Sequence, residues 1–260
     1  IKDYQNQLEY EDKLIVTAEI FLLWVIEGDD KLKQKIPFAK IDENILVVKD
    51  MQPYRTRKVR ILNGAHTAMV PFSLMYGNET VKETIDNEFT GNFIRSSVFE
   101  EINKTLDLSE EELNSFASEV FDRFRNPFIK HQLSSIALNS VSKFKVRVLP
   151  SLLSYKEKYN ELPSHLTYAF ACLIRFYKGD YQGKELPVQD DTAVKEFFNK
   201  IWEGLDYQKV AREVLQKKEY WEMDLTTVPQ LEETIAFALE KLDQNGVEEG
   251  FKAFTAKQNT

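Results

Sequence analysis

The sequence predicts a mainly α-helical fold. Three observations carry that expectation: apolar residues recur every three or four positions through most of the chain, capping residues with Gly and Pro punctuate those runs, and one short β-branched run, Ile45-Leu-Val-Val48, breaks the pattern. With 260 residues and 43% hydrophobic content the chain can bury a substantial core, so a single domain over 1–260 is expected, with room for two sub-lobes.

Taken in order, the apolar residues from Leu14 to Ile26 predict a helix that Gly28-Asp-Asp30 ends. The run Ile45–Val48 predicts a strand or extended connection ahead of Pro53. A helix of about Arg55 to Tyr76 follows, closed by Gly77-Asn78. Helices are then expected from Glu79 to about Glu88 and from Phe93 to about Leu106. Ser109-x-x-Glu112 forms a capping box that opens another helix, ending near Phe124. Asn126-Pro127 offers an N-cap and a first-turn proline, predicting a helix through Ile129, Leu133, Ile136 and Val141 until Pro150 interrupts it. Pro163-Ser164 starts an apolar helix toward Tyr177, and residues 179–191 read as a loop. Helices of about Thr192 to Trp202 and Tyr207 to Lys217 precede a last one, opened by Pro229, from about Gln230 to Leu242.

Composition excludes several functions. The net charge of −8 disfavours nucleic acid or an anionic membrane as the main partner. Cys172, the single cysteine, lies in an apolar run, can form neither an internal disulfide nor a zinc cluster, and suits a reducing cytoplasm. No apolar stretch approaches the roughly 18 residues of a spanning helix. His66, His131 and His165 share no metal-ligand spacing, so a metal-independent protein is expected, with His165, just after Ser164, structural or exposed.

The candidate chemistry lies in Lys58-Val-Arg-Ile-Leu-Asn63-Gly-Ala-His66-Thr67. At roughly 100° per residue Asn63 lies about 140° and His66 about 80° around an α-helix from Lys58, so an amine, an amide and an imidazole share one side. A solvated helix face carrying an unrelated His explains the same spacing. A ligand hydroxyl could touch all three. Lys58 could act as acid/base only if its pKa, normally about 10.4, were lowered by desolvation or nearby cations, for which Arg55, Arg57 and Arg60 are candidates. Asn63 and His66 could then stabilise the charge developing on the oxygen. A second cationic concentration comprises Arg125, Lys130, His131, Lys143, Lys145 and Arg147. It is either a solvated face or the part that pairs with a substrate carboxylate. His131 and Lys143 would stand about 18 Å apart on one helix, so both could reach a small ligand only if the helix broke between them.

The segment Lys58–Thr67 resembles the signature of the mannitol dehydrogenase (long-chain polyol dehydrogenase) family. Trp24-Val-Ile-Glu27, Asp50-Met-Gln-Pro53-Tyr54, Arg123-Phe-Arg125-Asn126-Pro127, Lys143-Phe-Lys145-Val-Arg147-Val-Leu-Pro150 and Tyr181-Gln-Gly-Lys-Glu-Leu-Pro187 resemble its other blocks. Leu62–Thr67 and Asn126-Pro127-Phe-Ile-Lys-His131-Gln are most similar to its tagaturonate reductase branch. The resemblance implies a multi-helical C-terminal substrate domain, of the type shared with 6-phosphogluconate dehydrogenase, in an NAD-dependent enzyme interconverting tagaturonate and altronate. It also implies Lys58 as acid/base, Asn63 and His66 as polarising groups, and substrate contacts in the block Lys143 to Arg147, with His131 a further candidate. Fructuronate/mannonate or mannitol 2-dehydrogenase activity on the same scaffold, and a non-catalytic helical interaction module, stay open as alternatives. Family members carry an N-terminal Rossmann domain, whereas the nine glycines here include no Gly-x-Gly. The chain also starts at Ile1 without an initiator Met, so it is expected to be the C-terminal half of a longer enzyme. Alone it should be inactive and should not hold NAD tightly.

Overall fold

The fold is taken from a computed structural model, which describes residues 2–8, 10–16, 21–204 and 206–258. The chain divides into two units, residues 1–55 and 56–260.

In the first unit, β1 (Trp24–Glu27) runs parallel to β2 (Ile45–Val48), with Trp24 opposite Ile45 and Glu27 opposite Val48. Helix α1 (Asp30–Lys35) lies between them in sequence, N-capped by Asp29, whose carboxylate accepts from the Leu32 amide at 2.9 Å. The expected strand at 45–48 is present. The helix expected from Leu14 to Ile26 is not: residues 13–16 and 21–23 are non-helical, 24–26 are strand, and 17–20 lie outside the described residues. Trp-Val-Ile is aromatic and β-branched and finds a strand of the same character to pair with, and that pairing outweighs a 3.6-residue periodicity. Among the described residues of this unit none is buried, and Leu14, Val16 and Ile41 are more than 80% exposed. Parallel strands are normally covered on both faces within a larger sheet.

The second unit is built around α10 (Ser164–Phe176), in which every side chain from Leu166 to Phe176 is buried. A helix that is apolar all round must be wrapped on all sides. It packs against α3 (Gly64–Tyr76) and α14 (Leu231–Asn245). The Phe170 ring stacks on Phe144 of α8 (Ser140–Arg147) with centroids 4.8 Å apart. Helix α2 (Gln52–Arg57), a π turn (Lys58–Asn63) and α3 run on without interruption, and Gly77 closes α3 at φ 114°. Next come α4 (Val81–Asp86) and α5 (Glu88–Ser96), the latter continuing into a second π turn (Ser97–Ile102), and then α6 (Glu110–Phe124).

The Ser109 hydroxyl caps α6 as expected, but Glu112 does not complete the capping box, because its carboxylate accepts a 2.6 Å bond from buried Arg57. No helix starts at Asn126-Pro127. The Asn126 side chain accepts from the Phe128 amide at 2.9 Å, a local turn that competes with a helix. Helix therefore resumes only at α7 (Leu133–Ile136), which ends at Ala137, and restarts as α8 after Asn139, whose φ is 54°. Pro150 does not interrupt the chain. It sits in the first turn of α9 (Leu149–Tyr159), where its missing N–H costs nothing. Within the loop 179–191 a two-residue hairpin pairs Asp180–Tyr181 with Lys184–Glu185, adding to the one strand region expected. Helices α11 (Thr192–Ile201), α12 (Tyr207–Leu215) and α13 (Lys218–Trp221) lead to α14. The helix at 230–242 is not the last: α15 (Val247–Gln258) follows Gly246, and Gly250 lets it cross close to Tyr168, since a Cβ there would stand 2.7 Å from the Tyr168 hydroxyl.

The first buried residue among those described is Arg57, so removing residues 1–49 takes no core side chain from the second unit. Such a truncated chain should keep a cooperative thermal transition, with its midpoint within about 4 °C of that of the longer chain, a change of no more than about 1 kcal/mol. Circular dichroism melts of the two chains check this.

Candidate active site

The π turn is the first feature of the site. Five-residue hydrogen bonding replaces four-residue bonding over Lys58–Asn63, and residues five apart come nearly in line, as residues four apart do in an α-helix. Asn63 thereby lies closer above Lys58 than the 140° expected of an α-helix. The Lys58 side chain is exposed, and among the described residues it makes no hydrogen bond or ion pair. Two of the arginines considered as its neighbours are engaged elsewhere. Arg57 is held by Glu112 and lies 4.3 Å over the Phe116 ring, and Arg60 donates to Ser151 at 3.3 Å.

His66, in the first turn of α3, stands with its ring 4.4 Å from Phe124 and 5.0 Å from the exposed His131, edge to face. Its Nε2 is buried and, among the described residues, has no hydrogen-bond partner. Burial first, then the positive fields of His131, Arg147 and Arg123, push the imidazole pKa down to about 3. His66 is therefore a neutral ring at physiological pH, and an unpaired buried nitrogen is costly unless a ligand satisfies it.

The break at Asn139 separates His131 from Lys143 as both reaching one ligand would require. Lys143 bends back along α8 and donates to the Ile136 carbonyl at 2.9 Å. Burial and Arg147 lower its pKa, against the opposing field of Asp190. Arg147, at the end of α8, donates to the Thr67 hydroxyl at 3.3 Å, and burial lowers its pKa too. Among the described residues no carboxylate lies within 4 Å of it. Lys145 faces the other way and pairs with Glu222 at 2.7 Å. The structure thus groups His66, His131 and Arg147, ties Lys143 electrostatically to Arg147, and leaves Lys58 open to solvent.

Sequence reasoning overlooked three contributors. Thr67 stands four residues after Asn63, the spacing at which a threonine hydroxyl bonds back to a helix carbonyl, here at 2.8 Å. Arg123 and Phe124 end α6 beside His66. Only the adjacent Asn126-Pro127 marked that end of the helix. His165 is half-buried, its Nδ1 2.8 Å from buried Glu101 in the second π turn, which agrees with a structural role. Cys172 is fully buried, and burial pushes its thiol pKa up.

The neutrality of His66 can be measured. Unfolded, the ring takes a proton below its ordinary pKa near 6.5; folded, it takes none until about pH 3. Between those limits the folded state binds fewer protons, so stability is lost as pH falls, by up to about 1.4 kcal/mol per unit. A His66→Asn variant should lose this part of the acid sensitivity. Denaturant titrations of both proteins from pH 7 to 4 test it, and parallel curves contradict a neutral His66.

Residues 50–243 match the family described as mannitol dehydrogenase C-terminal domain. Altronate oxidoreductase of Yersinia pestis is 42% identical over 256 residues, covering 96% of this chain and 53% of the relative. That of Escherichia coli O6:K15:H31 is 43% identical over 253 residues, covering 95% and 52%. The chain thus spans about half the length of these relatives. Among solved structures, Pseudomonas fluorescens mannitol 2-dehydrogenase in a ternary complex with NAD and D-mannitol superposes with a TM-score of 0.74 at 20% identity, covering 85% of this chain and 44% of that one. A substrate-free D-sorbitol dehydrogenase gives 0.76 at 17% identity, covering 96% and 50%. These likenesses bear on the fold alone. With residues 50–243 matching that domain and relatives 42–43% identical along nearly its whole length, the chain belongs to the mannitol dehydrogenase family.

Proposed function

We propose that this chain is the substrate-binding and acid/base half of a cytoplasmic, NAD-dependent oxidoreductase that interconverts tagaturonate and altronate. The observation that carries the sugar-acid reading is Arg147: a half-buried guanidinium that has a hydroxyl but, among the described residues, no carboxylate beside it. A partly desolvated cation without an acid is poised for an anionic ligand group. The relatives named altronate oxidoreductase support the same substrate class.

The turn after β1 does not fit the dinucleotide's phosphates. The parallel strand pair leads through Gly28 into α1, but a Cβ on Gly28 would stand 2.2 Å from the Leu32 side chain, so that glycine makes room for packing and not for a phosphate. Asp29 and Asp30 put negative charge at that helix start. The grip on NAD therefore falls to the rest of the protein, an N-terminal Rossmann domain. Residues 1–55, of which none among the described ones is buried, belong with that domain, and 56–260 form the helical substrate domain; without its partner the chain is inactive. Bound NAD supplies the hydride acceptor.

Lys58, as the amine, takes the alcohol proton during oxidation and, as the ammonium, returns it during reduction. Its exposure in this chain means that the desolvation this role requires comes from whatever covers it in the intact protein. Asn63 and a neutral His66 carrying its proton on Nε2 donate to the oxygen as charge builds there. Arg147 and Lys143 hold the carboxylate at the far end, with His131 at the rim. No metal is needed in this scheme, and among the described residues no three His, Cys, Asp or Glu side chains are grouped to hold one.

Lys58→Ala in the intact protein should lower turnover by at least about a hundredfold while leaving the affinity for NADH nearly unchanged, as loss of a general acid/base does. An unchanged rate removes Lys58 from the mechanism. NADH oxidation with tagaturonate, fructuronate and fructose offered separately at equal concentration tests the substrate. Preference for tagaturonate is the expected result. Preference for fructose turns the Lys143–Arg147 block into a solvated face, and turnover of none removes the catalytic reading.

A further inference from the structure

We infer that Thr67 and Gly64 are positioning residues that fix where Arg147 meets the substrate, an inference that rests on Arg147 as the carboxylate contact. Two separate contacts hold the end of α8 against the first turn of α3. The Arg147 carbonyl lies 3.1 Å from the point where a Cβ on Gly64 would stand, a separation tighter than nine in ten real Cβ contacts. The Arg147 side chain returns to the same turn, where Nη1 donates to Thr67 Oγ1 at 3.3 Å.

Thr67 is only 3% exposed, and the single proton of its hydroxyl goes to the Asn63 carbonyl at 2.8 Å. A hydroxyl that spends its proton on a carbonyl presents its lone pairs elsewhere, and a guanidinium, which only donates, is the matching partner. Arg147, Thr67 and Asn63 therefore form one directed chain of hydrogen bonds. Gly64 and Thr67 are three residues apart on the helix, as are Asn63 and His66, so the two pairs occupy neighbouring faces of a single turn. One turn thus carries both the groups that address the reacting oxygen and the anchor of the group that reads the far end. The spacing between oxygen and carboxylate is set by α3 itself.

The test uses the intact protein and three variants. Thr67→Val keeps the shape and removes the hydroxyl, Thr67→Ser keeps the hydroxyl, and Gly64→Ala adds a methyl group against the Arg147 carbonyl. Thr67→Val and Gly64→Ala should each raise KM for tagaturonate about tenfold, the scale of one hydrogen bond to a charged group, with kcat and the KM for NADH within about threefold of wild type. Thr67→Ser should restore the tagaturonate KM to within about threefold. An unchanged KM in Thr67→Val overturns the inference, as does a Thr67→Ser variant as impaired as Thr67→Val, or equal loss of kcat in all three, which marks mere structural damage. Failure of the sugar-acid reading itself would show in the wild type, as indifference to tagaturonate before any substitution is made.

Discussion

The helix Ser164–Phe176 has no exposed side from Leu166 onward, and the rest of the second unit is arranged by the need to cover it. Helix α3 covers one side and α14 another, while α8 reaches it through the Phe144–Phe170 stack. Aromatic side chains bury large areas and fix relative orientation through their ring geometry. The candidate site lies where α3 and α8 converge on this buried helix. Apart from His131, which precedes α7 in non-helical chain, its residues stand on helical elements, the condition for holding groups within fractions of an ångström.

The π turn adds a second constraint. It costs regular hydrogen bonding, and such turns persist where they bring side chains into an alignment that an α-helix cannot give. Here it draws Asn63 toward the line of Lys58 and delivers the chain to Gly64, where α8 must pass close by. The other π turn, Ser97–Ile102, packs against the first, and Gly64 would also meet its Ile102 side chain, at 3.7 Å. Of these two neighbours, only the Arg147 carbonyl, 3.1 Å from where a Cβ would stand, comes closer than ordinary contact, and a glycine after Asn63 accommodates that approach.

Local signals made most of the helical unit legible in the sequence. Gly77 ends α3, Ser109 caps α6 and Ser164 begins α10 as expected, because in each case the deciding interaction lies within a few residues. The readings that failed depended on distant partners or on competing local bonds. Trp24–Glu27 is a strand because Ile45–Val48 pairs with it, and Glu112 leaves its capping box for Arg57, fifty-five residues away. Asn126 caps a turn in place of a helix. For the site, the motif named Lys58, Asn63 and His66 and a separate block named Arg147, but their relation could not be read from spacing. It depends on the break at Asn139 and on the close approach of the Arg147 carbonyl to Gly64.

Charge ties these elements together. The protein carries a net charge of −8, yet the neighbourhood of His66 holds Arg123, His131, Arg147 and, through Arg147, Lys143. Like charges gathered in a partly desolvated place repel, and the site relieves part of that repulsion by keeping one member neutral: the His66 pKa falls to about 3 before the ring would accept a proton. On the sugar-acid reading proposed above, an arriving carboxylate relieves more. Anion binding and the neutrality of His66 therefore oppose each other, because a bound negative charge weakens the field that deprotonates the imidazole. Burial is the larger cause of that shift, so the neutrality of the ring does not rest on its charged neighbours alone.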